Sequence, residues 1–195
     1  PEQLTYIVNH ADDEVVFVDR SLLGVLAPLL PTFERLKHLV MMDDGKGDIP
    51  ADLADHELLD YEELLAAAEP VEFHVDDEHR AASMCYTSGT TGNPKGVVYT
   101  HRSTFLHTMG AMTADSLGAR ESDVILPVVP MFHANAWGLA FSAPAVGAKP
   151  VMPGPKLDGA SVHELLETEG VTYSAAVPTV WQMLLTHLRT TNGKI

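Results

Sequence analysis

The sequence predicts an α/β fold of mixed, mostly parallel sheet layers with flanking helices. Three observations carry that expectation. Strand-like and helix-like segments alternate through the opening third, the pattern of units that pair strands in parallel. Two later runs, Asp123–Val129 and Val171–Ala176, are too continuously apolar to face water and expect covering on both sides. Residues that cap helices, Asp60 and Asp158 among them, stand directly before helix-forming stretches.

Taken in order, Glu14–Asp19 reads as a buried strand, and Ser21 can cap a helix through Leu22–Leu30. Leu36–Met42 reads as a second strand, and Asp43-Asp44-Gly45 as a turn. Residues 43–60 are acidic and irregular, a surface excursion, before Asp60 caps a short helix, Tyr61–Ala68. The apolar run Ala81–Tyr86 predicts another buried strand, and Val97–Tyr99 predicts its successor. Thr100 or Ser103 caps a helix toward Leu117, and Asp123–Val129 is a strand that contains Pro127. A small-residue helix toward Gly147 and a short strand at Pro150–Met152 come next. Asp158 caps a helix toward Glu169, Val171–Ala176 is a strand, and Pro178 or Thr179 opens a last helix through Leu188.

At 195 residues the chain has the length and apolar content to bury a core. Its net charge of −15 is unevenly placed. Residues 1–80 carry 20 acidic and 5 basic side chains, whereas residues 81–195 carry 7 of each. An acidic chain without a basic stripe argues against nucleic-acid binding, and the acidic part reads as solvated surface. The single cysteine, Cys85, permits no internal disulfide. No apolar run approaches the ~18 residues of a membrane span; peripheral membrane contact stays open. The opening Pro1-Glu2-Gln3 is neither a signal peptide nor an initiator methionine, so a piece of a longer cytoplasmic protein is expected.

Between the strands at 81–86 and 97–99 lies Tyr86-Thr87-Ser88-Gly89-Thr90-Thr91-Gly92-Asn93-Pro94-Lys95-Gly96. Glycines let main-chain N–H groups approach a ligand, and successive N–H groups make a concavity for anions. Hydroxyls add donors, Lys95 adds a cation, and Pro94 fixes its approach. The loop is built to hold a polyphosphate. It is not the common P-loop, because Pro94 precedes the lysine and Gly96, rather than Ser or Thr, comes after it.

The order Tyr-Thr-Ser-Gly-Thr-Thr-Gly-x-Pro-Lys-Gly closely resembles the phosphate-binding signature of the adenylate-forming enzymes, which include acyl-CoA synthetases, luciferases and the adenylation domains of peptide synthetases. Val128-Val129-Pro130-Met131-Phe132-His133 resembles the same family's strand-end motif, where an aromatic and a histidine border the substrate carboxylate. Ala175-Ala176-Val177-Pro178-Thr179 resembles a junction that lines the acyl pocket. The likeness spans the whole chain and implies an internal fragment, 1–195, of the large N-terminal domain. Within it, 1–80 is an acidic α/β segment and 81–195 carries the phosphate loop and acyl pocket.

The resemblance implies ATP-dependent activation of a fatty acid, first to acyl-adenylate and then to acyl-CoA, with Mg2+ as cofactor and coenzyme A as co-substrate. Ser88, Thr90, Thr91 and Lys95 would hold the β- and γ-phosphates, Gly89 and Gly92 would offer backbone N–H groups, and Thr87 would help hold magnesium. His133 would position the substrate and, with Ala134, Trp137, Ala176, Val177 and Pro178, shape its pocket, with Trp137 at the tunnel mouth. If residues 133–137 are helical, Trp137 shares a face with His133. An amino-acid-activating relative is expected to place an acidic residue where His133 stands, so a plain fatty acid is favoured.

The adenine and ribose motifs and the C-terminal domain with its catalytic lysine, found downstream in relatives, lie outside the sequence. The piece alone is therefore expected to be inactive and to self-associate. Two alternatives stay open: an aryl- or shorter-chain acyl-CoA ligase, and a module that only binds phosphate or acyl chain. His163-Glu164-Leu165-Leu166-Glu167 lacks the second histidine of a zinc-protease motif. His74 and His79, around Asp76-Asp77-Glu78, read as a solvated acidic turn.

Overall fold

The computed structural model describes residues 2–87 and 92–195. The chain divides into two compact units, one built from residues up to His74 together with residues 92–96, the other from Val75–Thr87 and Val97–Ile195.

In the first unit, strands β1 (Val15–Asp19), β2 (His38–Met42) and β3 (Leu58–Asp60) form a parallel sheet in that order. The core beneath it gathers Leu23, Leu26, Leu30, Phe33 and Leu39 with Val8 of α1 (Glu2–Ala11). No helix is legible over these residues in the sequence, and α1 is an addition of the structure. The Asn9 amide ties it down, donating to the Thr32 carbonyl at 2.8 Å and accepting from the Glu34 N–H at 3.0 Å.

The single helix expected over Leu22–Leu30 is instead a 3-10 turn, a short α2 (Leu23–Leu26) and a second 3-10 stretch, Ala27–Thr32. Pro28 and Pro31 supply no N–H for the α-helical ladder, which explains the break. Asp60 caps α3 (Tyr61–Ala67) as expected, its side chain accepting from the N–H groups of Glu62 and Glu63.

β4 (Ala81–Thr87), in the second unit, pairs with β5 (Lys95–Thr100), which belongs to this unit from Val97 onward. β4 is not the buried strand expected: in it Cys85 alone is fully buried. Thr100 opens α4 (His101–Ala111) with a reciprocal capping box to Ser103, so both candidate caps take part. α4 stops at Ala111, short of Leu117.

The sheet that anchors this unit runs β7–β6–β8, with β6 (Val124–Pro127) parallel to both β7 (Lys149–Pro150) and β8 (Tyr173–Ala175). Neighbouring residues of β6 point to opposite faces. Ile125 enters a cluster with Leu139 and Ala143 of α6 (Leu139–Val146). Leu126 enters another with Val162 and Leu166 of α7 (Gly159–Thr168) and Val180 and Leu184 of α8 (Pro178–Thr191). Both strand side chains are 0% exposed, so the continuous apolar run is covered on each side as expected.

Candidate functional site

The phosphate-loop residues fall where β4 ends and β5 begins. Thr87 is the last residue of β4, and Lys95, exposed to solvent, is the first of β5. Gly92 has φ +126°, a conformation that L side chains rarely adopt, and Pro94 is buried. Ser88, Gly89, Thr90 and Thr91 lie outside the described residues. Among the described residues no group of three or more His, Cys, Asp or Glu stands together as a metal cage.

At the carboxyl end of the β6 sheet two further segments leave side by side. Pro127 is in register with Ala175, and the Val128 N–H donates to the Ala175 carbonyl at 2.8 Å. His133 and its neighbours therefore start from the same sheet end as Ala176, Val177 and Pro178, where open α/β sheets place ligands. Ala176 is buried in the core, Val177 is exposed, and Pro178 opens α8. His133 is exposed; its N–H donates to the Pro130 carbonyl at 3.2 Å, and its carbonyl accepts from Ala136 at 3.2 Å.

Beyond His133 the chain does not form an ordinary helix. Ala134, Asn135, Ala136 and Trp137 have φ of 46°, 48°, 53° and 59°, and Gly138 continues at 77°. The segment α5 (Ala134–Trp137) is a left-handed turn. His133 and Trp137 therefore do not share the face of a right-handed helix, which corrects that expectation. Each non-glycine residue held there costs roughly 1–2 kcal/mol, somewhat less for Asn, which bonds locally. The surroundings offset this strain. Ala136 is fully buried, and the Asn135 amide reaches β4, donating to Ser83 Oγ at 3.4 Å and accepting from Cys85 Sγ at 3.5 Å. At the other end the His107 imidazole Nε2 lies 3.0 Å from the Trp137 carbonyl.

The turn forms one wall of a cavity of about 490 Å3, through Ala134, Asn135, Trp137 and Gly138, with Phe141 of α6 beside them. Tyr99, Ser103, Thr104 and His107 form the opposite wall. The volume is that of a small-molecule site. Trp137 is 43% exposed, so it is not a buried core indole. Thr104 Oγ1 is buried without a hydrogen-bond partner, a polar atom that a bound molecule or water would satisfy.

Of the expected pocket residues, Ala134 and Trp137 line this cavity, whereas His133, Ala176, Val177 and Pro178 are not among its lining residues. Tyr99, Ser103, Thr104, His107, Asn135 and Phe141 were not legible as site residues. The spacing of Ser103, Thr104 and His107 puts them on one helix face, a signal that was available but without an apolar stripe to mark it.

Comparison with known proteins agrees with this architecture. The family described as AMP-binding enzyme matches residues 1–194. The medium-chain-fatty-acid–CoA ligase of Ectopseudomonas oleovorans is 48% identical over 185 residues, which are 94% of this chain and 34% of that protein. The 3-methylmercaptopropionyl-CoA ligase of Ruegeria lacuscaerulensis is 46% identical over 188 residues, covering 96% of this chain and 34% of that one. A crystal structure of a long-chain-fatty-acid–CoA ligase from Archaeoglobus fulgidus superposes with a TM-score of 0.77 at 27% identity, over 98% of this chain and 35% of that chain. The chain thus spans about a third of the length of the relatives it matches. With the family matched from end to end and the fold shared with a solved relative, the chain belongs to the AMP-binding enzymes.

Proposed function

We propose that the protein carrying this chain is an AMP-forming fatty-acid–CoA ligase, and that residues 1–195 are part of its N-terminal adenylation domain. The observation that carries this reading is the 48% identity to a medium-chain-fatty-acid–CoA ligase, and the Trp137-walled cavity offers room for a small molecule.

In the first step a carboxylate oxygen of the acid attacks the α-phosphorus of ATP, and the bond to pyrophosphate breaks. In the second the coenzyme A thiolate attacks the acyl carbon and expels AMP. This chain's share is positioning and charge neutralisation. Ser88, Gly89, Thr90, Thr91, Gly92 and Lys95 would hold the polyphosphate, and His133 would orient the carboxylate. Ala134 and Trp137 would receive the acyl chain, with Ala176, Val177 and Pro178 at the same sheet end. Magnesium, when bound, neutralises phosphate charge; Thr87 alone is no cage for it, so the ion would arrive held largely by the nucleotide's own oxygens.

ATP–pyrophosphate exchange by the parent protein, measured across acids of increasing chain length, tests the reading. We expect exchange that is strongest with a medium- or long-chain acid. No exchange with any acid would overturn it. A shorter acid is the second reading, favoured by the 46% identity to a 3-methylmercaptopropionyl-CoA ligase, and the same series separates the two.

The same reading puts the parent in the cytoplasm, where ATP and coenzyme A meet fatty acids. Among the described residues no helix is long and apolar enough to cross a membrane. The isolated chain is expected to form no acyl-CoA, because it spans only about a third of the length of its ligase relatives.

A further inference from the structure

We infer that His107 is a positioning residue, whose imidazole holds the left-handed turn Ala134–Gly138 and thereby sets where the Trp137 indole stands in the cavity wall. The functional half of this inference rests on the ligase reading above; the structural half does not.

Two contacts meet at the ring. Nε2 of His107 lies 3.0 Å from the Trp137 carbonyl oxygen. A carbonyl only accepts, so Nε2 carries the proton whether the ring is neutral or charged. The ring also lies against Gly138. A Cβ built there would stand 2.4 Å from Cδ2 and 2.5 Å from Nε2 of His107, in a residue already at φ +77°. Glycine at 138 thus serves twice: it permits the backbone conformation, and it leaves the space through which His107 reaches the preceding carbonyl.

The rest of the turn is fixed from other directions. Asn135 is tied to Ser83 and Cys85 of β4, and Ala136 is buried beside Leu139 and Ala143. The side chain of Trp137 is 43% exposed in the cavity wall. The peptide that follows it is held on both sides: the Gly138 N–H donates within the turn to the carbonyls of Ala134 at 3.1 Å and Asn135 at 3.0 Å, and the Trp137 carbonyl is bonded to His107, which ties the turn to α4. Successive non-glycine residues at positive φ persist only where the surroundings over-determine them. A return of Trp137 to negative φ would swing its Cβ about the chain and take the indole off the wall.

The test uses the full parent protein labelled with 5-fluorotryptophan, the Trp137 fluorine resonance being assigned by its loss in Trp137→Phe. We expect His107→Ala to shift or broaden that resonance. It should also raise KM for the acid roughly 2- to 12-fold, the ratio spanned by one net hydrogen bond, while kcat and KM for ATP hold. His107→Gln, which keeps an N–H at similar reach, should restore both; His107→Asn, which is too short, should behave as alanine does. Gly138→Ala should displace the same resonance, and His107→Ala should add little in its background. An unchanged Trp137 resonance in His107→Ala, or equal disturbance by Gln and Ala, would overturn the inference. If the wild-type protein turns over no acid, the ligase reading fails by itself, and the resonance and its rescue by Gln still decide the role of His107.

Discussion

Lys95 stands exposed at the first position of β5, eight residues after Thr87 closes β4. On the proposed reading, a cation there would meet charge that moves during adenylation. Lys95→Ala in the parent protein is expected to slow ATP–pyrophosphate exchange by roughly 10²–10³-fold, the loss typical of removing one electrostatic stabiliser. An unchanged rate would show that the nucleotide binds elsewhere. Trp137 calls for a different measurement. Its indole lines the cavity and is 43% exposed, so truncation removes contact surface for an alkyl chain without emptying a packed core. Trp137→Ala should alter the chain-length profile more than KM for ATP. Stability should fall by much less than the ~3–5 kcal/mol of a buried aromatic. A flat profile with a large stability loss would assign the indole to the core.

At the scale of elements, the pairing of α7 and α8 depends on a glycine. A Cβ at Gly159 would meet the Met183 carbonyl oxygen at 2.3 Å and its carbon at 2.7 Å, and backbone cannot step aside as a flexible side chain can. Gly159→Ala should therefore push α7 from α8 and cost about 1–3 kcal/mol, the range for overpacking. A denaturant midpoint equal to wild type would refute this. The same helix is capped by Asp158, whose carboxylate accepts from the Ser161 hydroxyl at 2.8 Å and from the N–H groups of Ala160 and Ser161 at 3.1 Å. The Ser161 hydroxyl bond, then the backbone bonds, hold its pKa below the ordinary carboxylate value. A carboxylate depressed in the folded state stabilises it above the unfolded pKa, and that contribution is lost as pH falls through the folded one. The stability difference between wild type and Asp158→Ala should thus be constant near neutrality and shrink in acid below the usual carboxylate range. A difference that grows on acidification would contradict the cap's charge.

For the molecule as a whole, both outer strands of the β7–β6–β8 sheet lack a further strand partner among the described residues. Large apolar side chains are also exposed, among them Phe105 at 64% and Phe132 at 75%. Open sheet edges and uncovered apolar groups favour pairing between copies. The isolated chain is expected to self-associate at concentrations on the order of tens of micromolar, read by sedimentation. A clean monomer that binds no apolar dye would mean that the sheet edges and these faces stay closed without a partner.

The α/β class, the parallel strands and the order of most elements were already legible in the amino-acid order. They rest on local physics: continuous apolar runs at β6 and β8, acidic caps at Asp60 and Asp158, and glycine–hydroxyl composition in the phosphate loop. The family was legible too, because the eleven-residue stretch from Tyr86 to Gly96 depends on residue order alone. Where prolines cut a helix short was half legible: Pro28 and Pro31 were in plain view, and their missing N–H groups account for the 3-10 stretch Ala27–Thr32 after α2. The left-handed turn after His133, by contrast, is a product of tertiary contacts. Nothing local asks Ala134 or Ala136 for positive φ; the strain is held by β4, about fifty residues earlier in the chain, and by His107, thirty residues before Trp137. For the same reason the cavity's second wall was hidden, since Tyr99, Ser103, Thr104 and His107 become site residues only when α4 folds against that turn.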